Sequence, residues 1–451
     1  MKTFNRIIAV ILLIVSCFTL SGCKGKDIAY AKGTFIQSWM LNGFSDEDYI
    51  EEFDNMAAMK IEYLVYMDAA FIDSGGDYSE VTYPSHDESR TGDGFNTGIL
   101  DKVLYYCNEY SIKCYIGLIN DGRWWLNTDL TDESNKSLYL NSCAEMAEVL
   151  EEIYTLYYDK YPAAFYGVYF PTELYNHFAY SVDAKRNAYS YACAEGLNTV
   201  ISKINELNPS LPLMLSPFIN PLSGVFCNAE NNGEFYLELI NKTNFREYDL
   251  LCPQDSIGAR DFPVQDVYQW YDSYVYALDN ANKKITFGIN VECFSTEGDI
   301  DYLYPANIAR FVLQLEAANK YTDNIYSFAL PHYYNGRITE EGFSKSYGYY
   351  LENGVAEKTP PEKVNNFKGV INDNKVTLSW DESTDEYGIS GYNIYKCNAE
   401  GEDKILLRRG VFDNREIQPS LELSYSNGCY FAIEAVDCTG NVSKKSYCLK
   451  D

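Results

Sequence analysis

Histidine is almost absent from this 451-residue chain: His86, His177 and His332 are the only three. No two of its thirteen cysteines stand in a Cys-x-x-Cys pair. Structural zinc sites draw on these two residue types at short spacings, so such a site is excluded. Base is scarce too. The 36 Lys and Arg face 65 Asp and Glu, a formal charge of -29, and no basic cluster interrupts the excess of acid. Phosphate backbones are gripped through Lys and Arg, so nucleic acid is not an expected partner. The same charge repels anionic cell-wall polymers and favours a neutral substrate, or else serves only to keep a surface protein soluble. A long apolar run occurs once, from Ile7 to Val15, behind Lys2 and Arg6 and ahead of Leu20-Ser21-Gly22-Cys23. It is shorter than the ~20 residues of a bilayer span. Its order of positive, apolar and then small residues is that of an export signal, with an uncleaved anchor as the alternative.

That ending resembles the lipobox of bacterial lipoproteins. The resemblance implies cleavage after residue 22, a diacylglycerol on the thiol of Cys23, and a tether over residues 23–31 to the bacterial membrane, facing outward. With Cys17 removed and Cys23 acylated, eleven cysteines remain, an odd number that a complete disulfide framework cannot use. The remaining thiols are expected in the core, and so many of them in an exported chain suggest a reducing habitat.

Beyond the tether, eight apolar runs read as strands: Thr34 to Gln37, Tyr63 to Met67, Lys113 to Gly117, Phe165 to Phe170, Leu213 to Ser216, Asp249 to Cys252, Thr286 to Val291 and Ile325 to Phe328. Between them lie helical periods, among them Ser45 to Lys60, Asn141 to Tyr158, Ala184 to Leu207, Val264 to Asn282 and Pro305 to Lys320. Ser45 followed by Asp48 predicts a capped helix start. Eight strand and helix pairs predict an α/β fold, a (β/α)8 TIM barrel over residues 32–357, somewhat above the ~250 residues typical of the fold. A doubly wound open sheet is the alternative, but the first strand lacks the Gly-rich turn of its nucleotide-binding forms. Pro360-Pro361 breaks the pattern. Residues 358–451 then alternate as short strands, at Lys375 to Trp380, Gly391 to Tyr395 and Cys429 to Asp437, and predict a small all-β sandwich. The double proline, Trp380, Gly391-Tyr392 and the late Tyr430 to Asp437 strand resemble a fibronectin type III module. Asp381, Ser383 and Asp385 mimic a calcium loop, but Glu386 stands where that loop needs glycine, so a solvated turn is expected.

Strand parity places Tyr169, Pro171 and Glu173 on one face after the fourth strand, and Gly288, Asn290 and Glu292 on one face of the seventh. Two acids at the carboxyl mouth of a barrel suit glycoside hydrolysis, in which retaining enzymes hold two carboxyls about 5 Å apart. Other strand ends supply Gln37 and Trp39, Asp68, then Asn120, Asp121, Arg123, Trp124 and Trp125, then Asn220, then Gln254 and Asp255, and finally His332 and Tyr333. Aromatic planes for sugar C–H faces and amides for hydroxyls make that mixture a glycan site.

The barrel resembles the clan A glycosidases. That resemblance implies Glu173 as acid/base and Glu292 as nucleophile of a retaining hydrolase. It also exposes a departure: the asparagine that usually precedes the acid/base is Thr172 here, and Asn176, Asn220 or Asn290 would have to replace it. More closely, Gly33 to Gln37, Phe170 to Glu173 and Gln254 to Gly258 resemble a bacterial family known as domain of unknown function 4434. The expectation is a monomeric, surface-anchored lipoprotein that hydrolyses a neutral oligo- or polysaccharide without metal or organic cofactor. A non-catalytic glycan-binding lipoprotein and a surface scaffold protein are the alternatives.

Overall fold

The computed structural model describes residues 28–91, 95–176, 183–220, 228–260, 262–296, 303–372, 375–397, 405–409, 412–413, 416–417, 420–424 and 430–448. The export signal, Cys23 and His177 lie outside these.

Eight parallel strands follow one another around a ring: β1 (Gly33–Ile36), β2 (Tyr63–Tyr66), β3 (Lys113–Gly117), β4 (Phe165–Phe170), β5 (Leu213–Leu215), β6 (Leu250–Leu251), β7 and β8 (Ile325–Phe328). Strand β7 is split at Gly288 into Thr286–Phe287, paired with β6, and Ile289–Glu292, paired with β8. Its two halves join the ends of the sheet, and β8 pairs back onto β1. The result is the expected (β/α)8 barrel.

Alternation along the strands separates two cores. Phe35, Val65, Met67, Tyr115, Tyr169, Met214, Leu250, Cys252 and Tyr326 fill the inside of the ring. Ile36, Leu64, Ile116, Val168, Leu215, Ile289 and Val291 point outward against the helices. Tyr63, Tyr115, Tyr166 and Tyr326 pack edge to face across the amino end of the ring, with Tyr115 and Tyr166 at 5.1 Å and Tyr63 and Tyr166 at 5.4 Å. That floor closes one end with apolar rings, and polar side chains gather at the other.

The helices start where side chains can satisfy their free N–H groups. Ser45 and Asp48 form a reciprocal capping box on Asp46–Ala58. The helix expected from Asn141 begins earlier, at Glu133, because the Asp132 carboxylate accepts from the N–H groups of Ser134 and Asn135. No helix among the described residues is long and apolar enough to cross a membrane.

The last barrel helix, Glu341–Asn353, ends at left-handed Gly354. Beyond it stand a three-stranded antiparallel sheet (Lys368–Asn372, Lys375–Ser379, Ser420–Ser424) and a four-stranded one built around Ile389–Cys397 and Tyr430–Asp437. They share a core of Val376, Leu378, Trp380, Tyr392, Ile394, Phe431 and Ile433. The Ser383 N–H donates to the Tyr392 hydroxyl and the Asp381 carboxylate accepts from Asn366, so the calcium-like residues face separate partners. These sheets also meet the barrel. The N–H groups of Ile308 and Ala309, which open the helix Ile308–Ala318, donate to the carbonyls of Cys438 (3.1 Å) and Thr439 (2.9 Å). Asn441 donates to the buried Glu357 carboxylate at 2.6 Å, and any side chain at Gly342 would strike the Tyr387 carbonyl.

Candidate active site

Strand β4 runs out at Phe170, and three residues later Glu173 stands half-buried at the mouth. Two contacts fix it. The indole N–H of Trp124 donates to its carbonyl (3.0 Å), and the Gln254 amide donates to its Oε1 (2.9 Å). Burial raises the Glu173 carboxyl above its ordinary range, and the Gln254 hydrogen bond holds part of that rise back.

Glu292 ends β7 and is 2 % exposed. The Ala259 N–H donates to its Oε2 at 2.7 Å. Burial, and after it the charge of Asp255, pushes Glu292 up to about 8; Glu173 adds a smaller push, so the two glutamates feel one another's charge.

One stretch after β6 therefore holds both acids, Glu173 through Gln254 and Glu292 through Ala259. Its geometry explains its sequence. Ser256 takes a left-handed φ of 55°, which folds the chain back over β7. At Gly258 a side chain would lie 2.4 Å from the Phe294 carbonyl and press on Glu292, so only glycine allows the approach.

Behind Glu292 lies Asp255, fully buried. It accepts from the N–H groups of Ile257 and Glu292 (3.2 Å each) and from the Gln314 amide (2.6 Å). Gln314 also donates to the Glu292 carbonyl (3.0 Å), and the Arg310 guanidinium donates to the carbonyls of Glu292 and Phe294. Sequence reasoning missed Gln314 and Arg310. The sequence offers only a glutamine placed in the otherwise apolar stripe of Ile308, Phe311, Leu315 and Ala318, and its full burial emerges from the fold.

The structure sorts the remaining expected residues. Asn290 points into the ring and donates to the Ser216 hydroxyl (3.3 Å), while its Oδ1 is buried without a hydrogen-bond donor. Asp68 accepts from Ser38 (2.7 Å) and from Asn120, and burial pushes it up to about 7. Gln37 is half-buried at the end of β1. Trp39 is 56 % exposed, with its ring edge-on to His332 at 6.1 Å. Burial lowers His332 to about 3, so its imidazole is neutral and does not serve as a charged acid.

Four of the expected sugar contacts are engaged within the protein itself. Trp124 is buried against Tyr139 and holds the Glu173 backbone, leaving the exposed role to Trp125. Asn176 spends its amide on the backbone of Asn220, accepting from the N–H (3.0 Å) and donating to the carbonyl (3.4 Å), which pins the loops after β4 and β5 together. It is one of the three asparagines expected to replace the one missing at Thr172, and this is where the structure ties it. Asp255 has no exposed surface and supports Glu292 from behind. Tyr333 is buried and stacked on Phe294 at 5.4 Å. Asp121 is bound by Arg123 in a two-pronged ion pair. Among the described residues no three His, Cys, Asp or Glu side chains converge as a metal site.

The family model for a domain of unknown function (DUF4434) matches residues 31–337. The chain belongs to this family. In this DUF4434 protein the stretches that carry the resemblance run along β1 to its end and past the ends of β4 and β6, toward the mouth. No curated protein matches the chain. Among solved structures, a "putative alpha-L-fucosidase" from Bacteroides thetaiotaomicron is 17% identical over 73% of this chain and 98% of its own, with a TM-score of 0.55. A xylanase from Thermoanaerobacterium saccharolyticum is 13% identical over 68% of this chain and 89% of its own, with a TM-score of 0.37. At 17% identity, the likeness to the first of these shows the barrel fold alone.

Proposed function

We propose that this DUF4434 protein is a glycoside hydrolase that retains configuration, with Glu292 as nucleophile and Glu173 as acid/base. The observation that carries the reading is the clamp after β6, which ties both carboxylates to one rigid segment. Glu292 attacks the anomeric carbon while Glu173 gives its proton to the departing oxygen; Glu173 then takes a proton from water, which displaces Glu292 and frees the sugar. The two-step mechanism needs Glu292 ionised and Glu173 protonated: burial helps Glu173 keep its proton, while Glu292, pushed up to about 8, must lose its own before it can attack. The Asp255 network of Gln314 and Arg310 holds the nucleophile's backbone while its side chain reacts.

The test is a screen of the full chain against oligosaccharides of defined linkage, with reducing ends measured and the first-formed anomer read by NMR. Product of retained configuration supports the reading, and an inverted product overturns the two-step mechanism. Thr172, with Asn176 already committed, favours a second reading as a non-catalytic glycan binder; binding without cleavage across the panel would establish it.

The same proposal places the enzyme at the outer face of a bacterial membrane through Cys23. Cys23→Ala is expected to move it from the membrane fraction to the soluble or secreted fraction. A variant still sedimenting with membranes after a high-salt wash would rule that anchor out.

A further inference from the structure

Two of the residues that hold the acids, Trp124 and Ala259, each have an exposed neighbour. Next to Trp124, buried under Glu173, comes Trp125, 51 % exposed; next to Ala259, bound to Glu292, comes exposed Arg260. Both neighbours arrive at the same place. The Trp125 ring lies 5.8 Å from Tyr175 and 6.2 Å from Phe218, and the Arg260 guanidinium lies over the Phe218 ring at 5.1 Å. Tyr175 and Phe218 pair through a backbone bridge, and the Tyr175 hydroxyl donates to Thr128 (3.1 Å), so the platform rests on tied loops after β4 and β5.

Arg260 is unusual in so acidic a chain. Arg90, Arg123, Arg186, Arg246 and Arg337 are paired with carboxylates, and Arg310 with carbonyls. Among the described residues no carboxylate pairs with Arg260. Asp129, whose charge acts on Tyr175, is already engaged by Thr131 (2.5 Å) and Lys185 (3.7 Å). A guanidinium stacked on a ring keeps its outer edge open for planar, two-pronged binding of an anion.

We propose that Trp125, Tyr175, Phe218 and Arg260 form a subsite for a sugar bearing an acid group, a carboxylate or a sulfate ester, its C–H face on the aromatic rings and its anion on Arg260. This inference rests on the glycan reading of the mouth and replaces the expectation of a wholly neutral substrate. The charge of -29 limits it: a long polyanion is repelled, so the fitting ligand carries isolated acid groups among neutral sugars.

The test uses the full chain with Glu292→Gln, which removes turnover, and calorimetry with matched oligosaccharide pairs. One arm pairs hexuronate-containing oligosaccharides with their carboxyl-reduced forms; the other pairs sulfated with desulfated ones. The acidic member of one arm is expected to bind at least about tenfold tighter, and Arg260→Gln to erase that preference while leaving the neutral member's affinity unchanged. Trp125→Ala should weaken both members of a pair. The arm that shows the preference identifies the acid. Equal binding of both members in both arms, or an unchanged preference in Arg260→Gln, overturns the subsite and leaves the glycosidase reading intact. Failure of every oligosaccharide to bind overturns both.

Discussion

Glu292→Gln is expected to lower turnover of any cleaved glycan by roughly 10⁴–10⁶-fold, the range found when a reacting group is removed from a hydrolase site. The amide oxygen can still accept from the Ala259 N–H, so the clamp survives and the loss is chemical. Glu173→Ala should behave differently. Aryl glycosides with good leaving groups need little protonation and should retain much of their first-step rate, and azide should restore part of the second step. The pH profile supplies an independent readout. With Glu292 pushed up to about 8 by burial and then by Asp255, kcat/KM should climb with pH toward that value as the nucleophile loses its proton. Asp255→Asn removes the neighbouring charge and should move the rising limb to lower pH. Wild-type rates in both glutamate variants would remove this pair from the mechanism.

Stability should fall as pH rises. Buried acids in this fold hold protons far above their ordinary range: burial pushes Glu52 and Asp68 up to about 7, and Asp437 to about 6. The unfolded chain releases those protons near pH 4. Raised carboxyl values therefore contribute stability that is complete below pH 4 and is lost as pH rises from there through the folded values of about 6 to 7. For Glu52, whose carboxylate accepts from Asn335 on the loop after β8, a rise from 4.5 to about 7 is worth roughly 3 kcal/mol. Glu52→Gln keeps an acceptor for Asn335 and removes the titration. The wild-type Tm is expected to drop between about pH 4.5 and 7.5, and the variant's to drop less. A wild-type Tm that is flat or rising over that window, or an identical slope in the variant, would refute the account.

All eight barrel strands were legible because each is buried on both faces and reads as a short apolar run, with Phe35 and Ile36 or Tyr169 and Phe170 serving the two cores in turn. The placement of Glu173 and Glu292 past β4 and β7 followed from the same parity. Tertiary partners were not legible. Nothing local distinguishes Trp124 from Trp125; only the Glu173 carbonyl, 49 positions away, makes one buried and the other open. Asn176 reads as an available amide until Asn220 claims it. Asp255 reads as an acid at the mouth until the left-handed turn at Ser256 folds the chain over it. Arg310 and Gln314 sit on a helix whose pattern speaks only of burial.

The hydrogen bonds from Ile308 and Ala309 to Cys438 and Thr439 bear on how the molecule comes apart. The helix that begins there carries Arg310 and Gln314, so its first turn answers to the carboxyl-terminal sheets while its middle braces Glu292. Detached sheets would leave two N–H groups without acceptors and a fraying helix under the nucleophile. Barrel and sheets should thus share one calorimetric transition, with no separate low-temperature peak for the smaller part. Loss of the carboxyl-terminal sheets would be felt at Glu292, across the barrel helix that joins them.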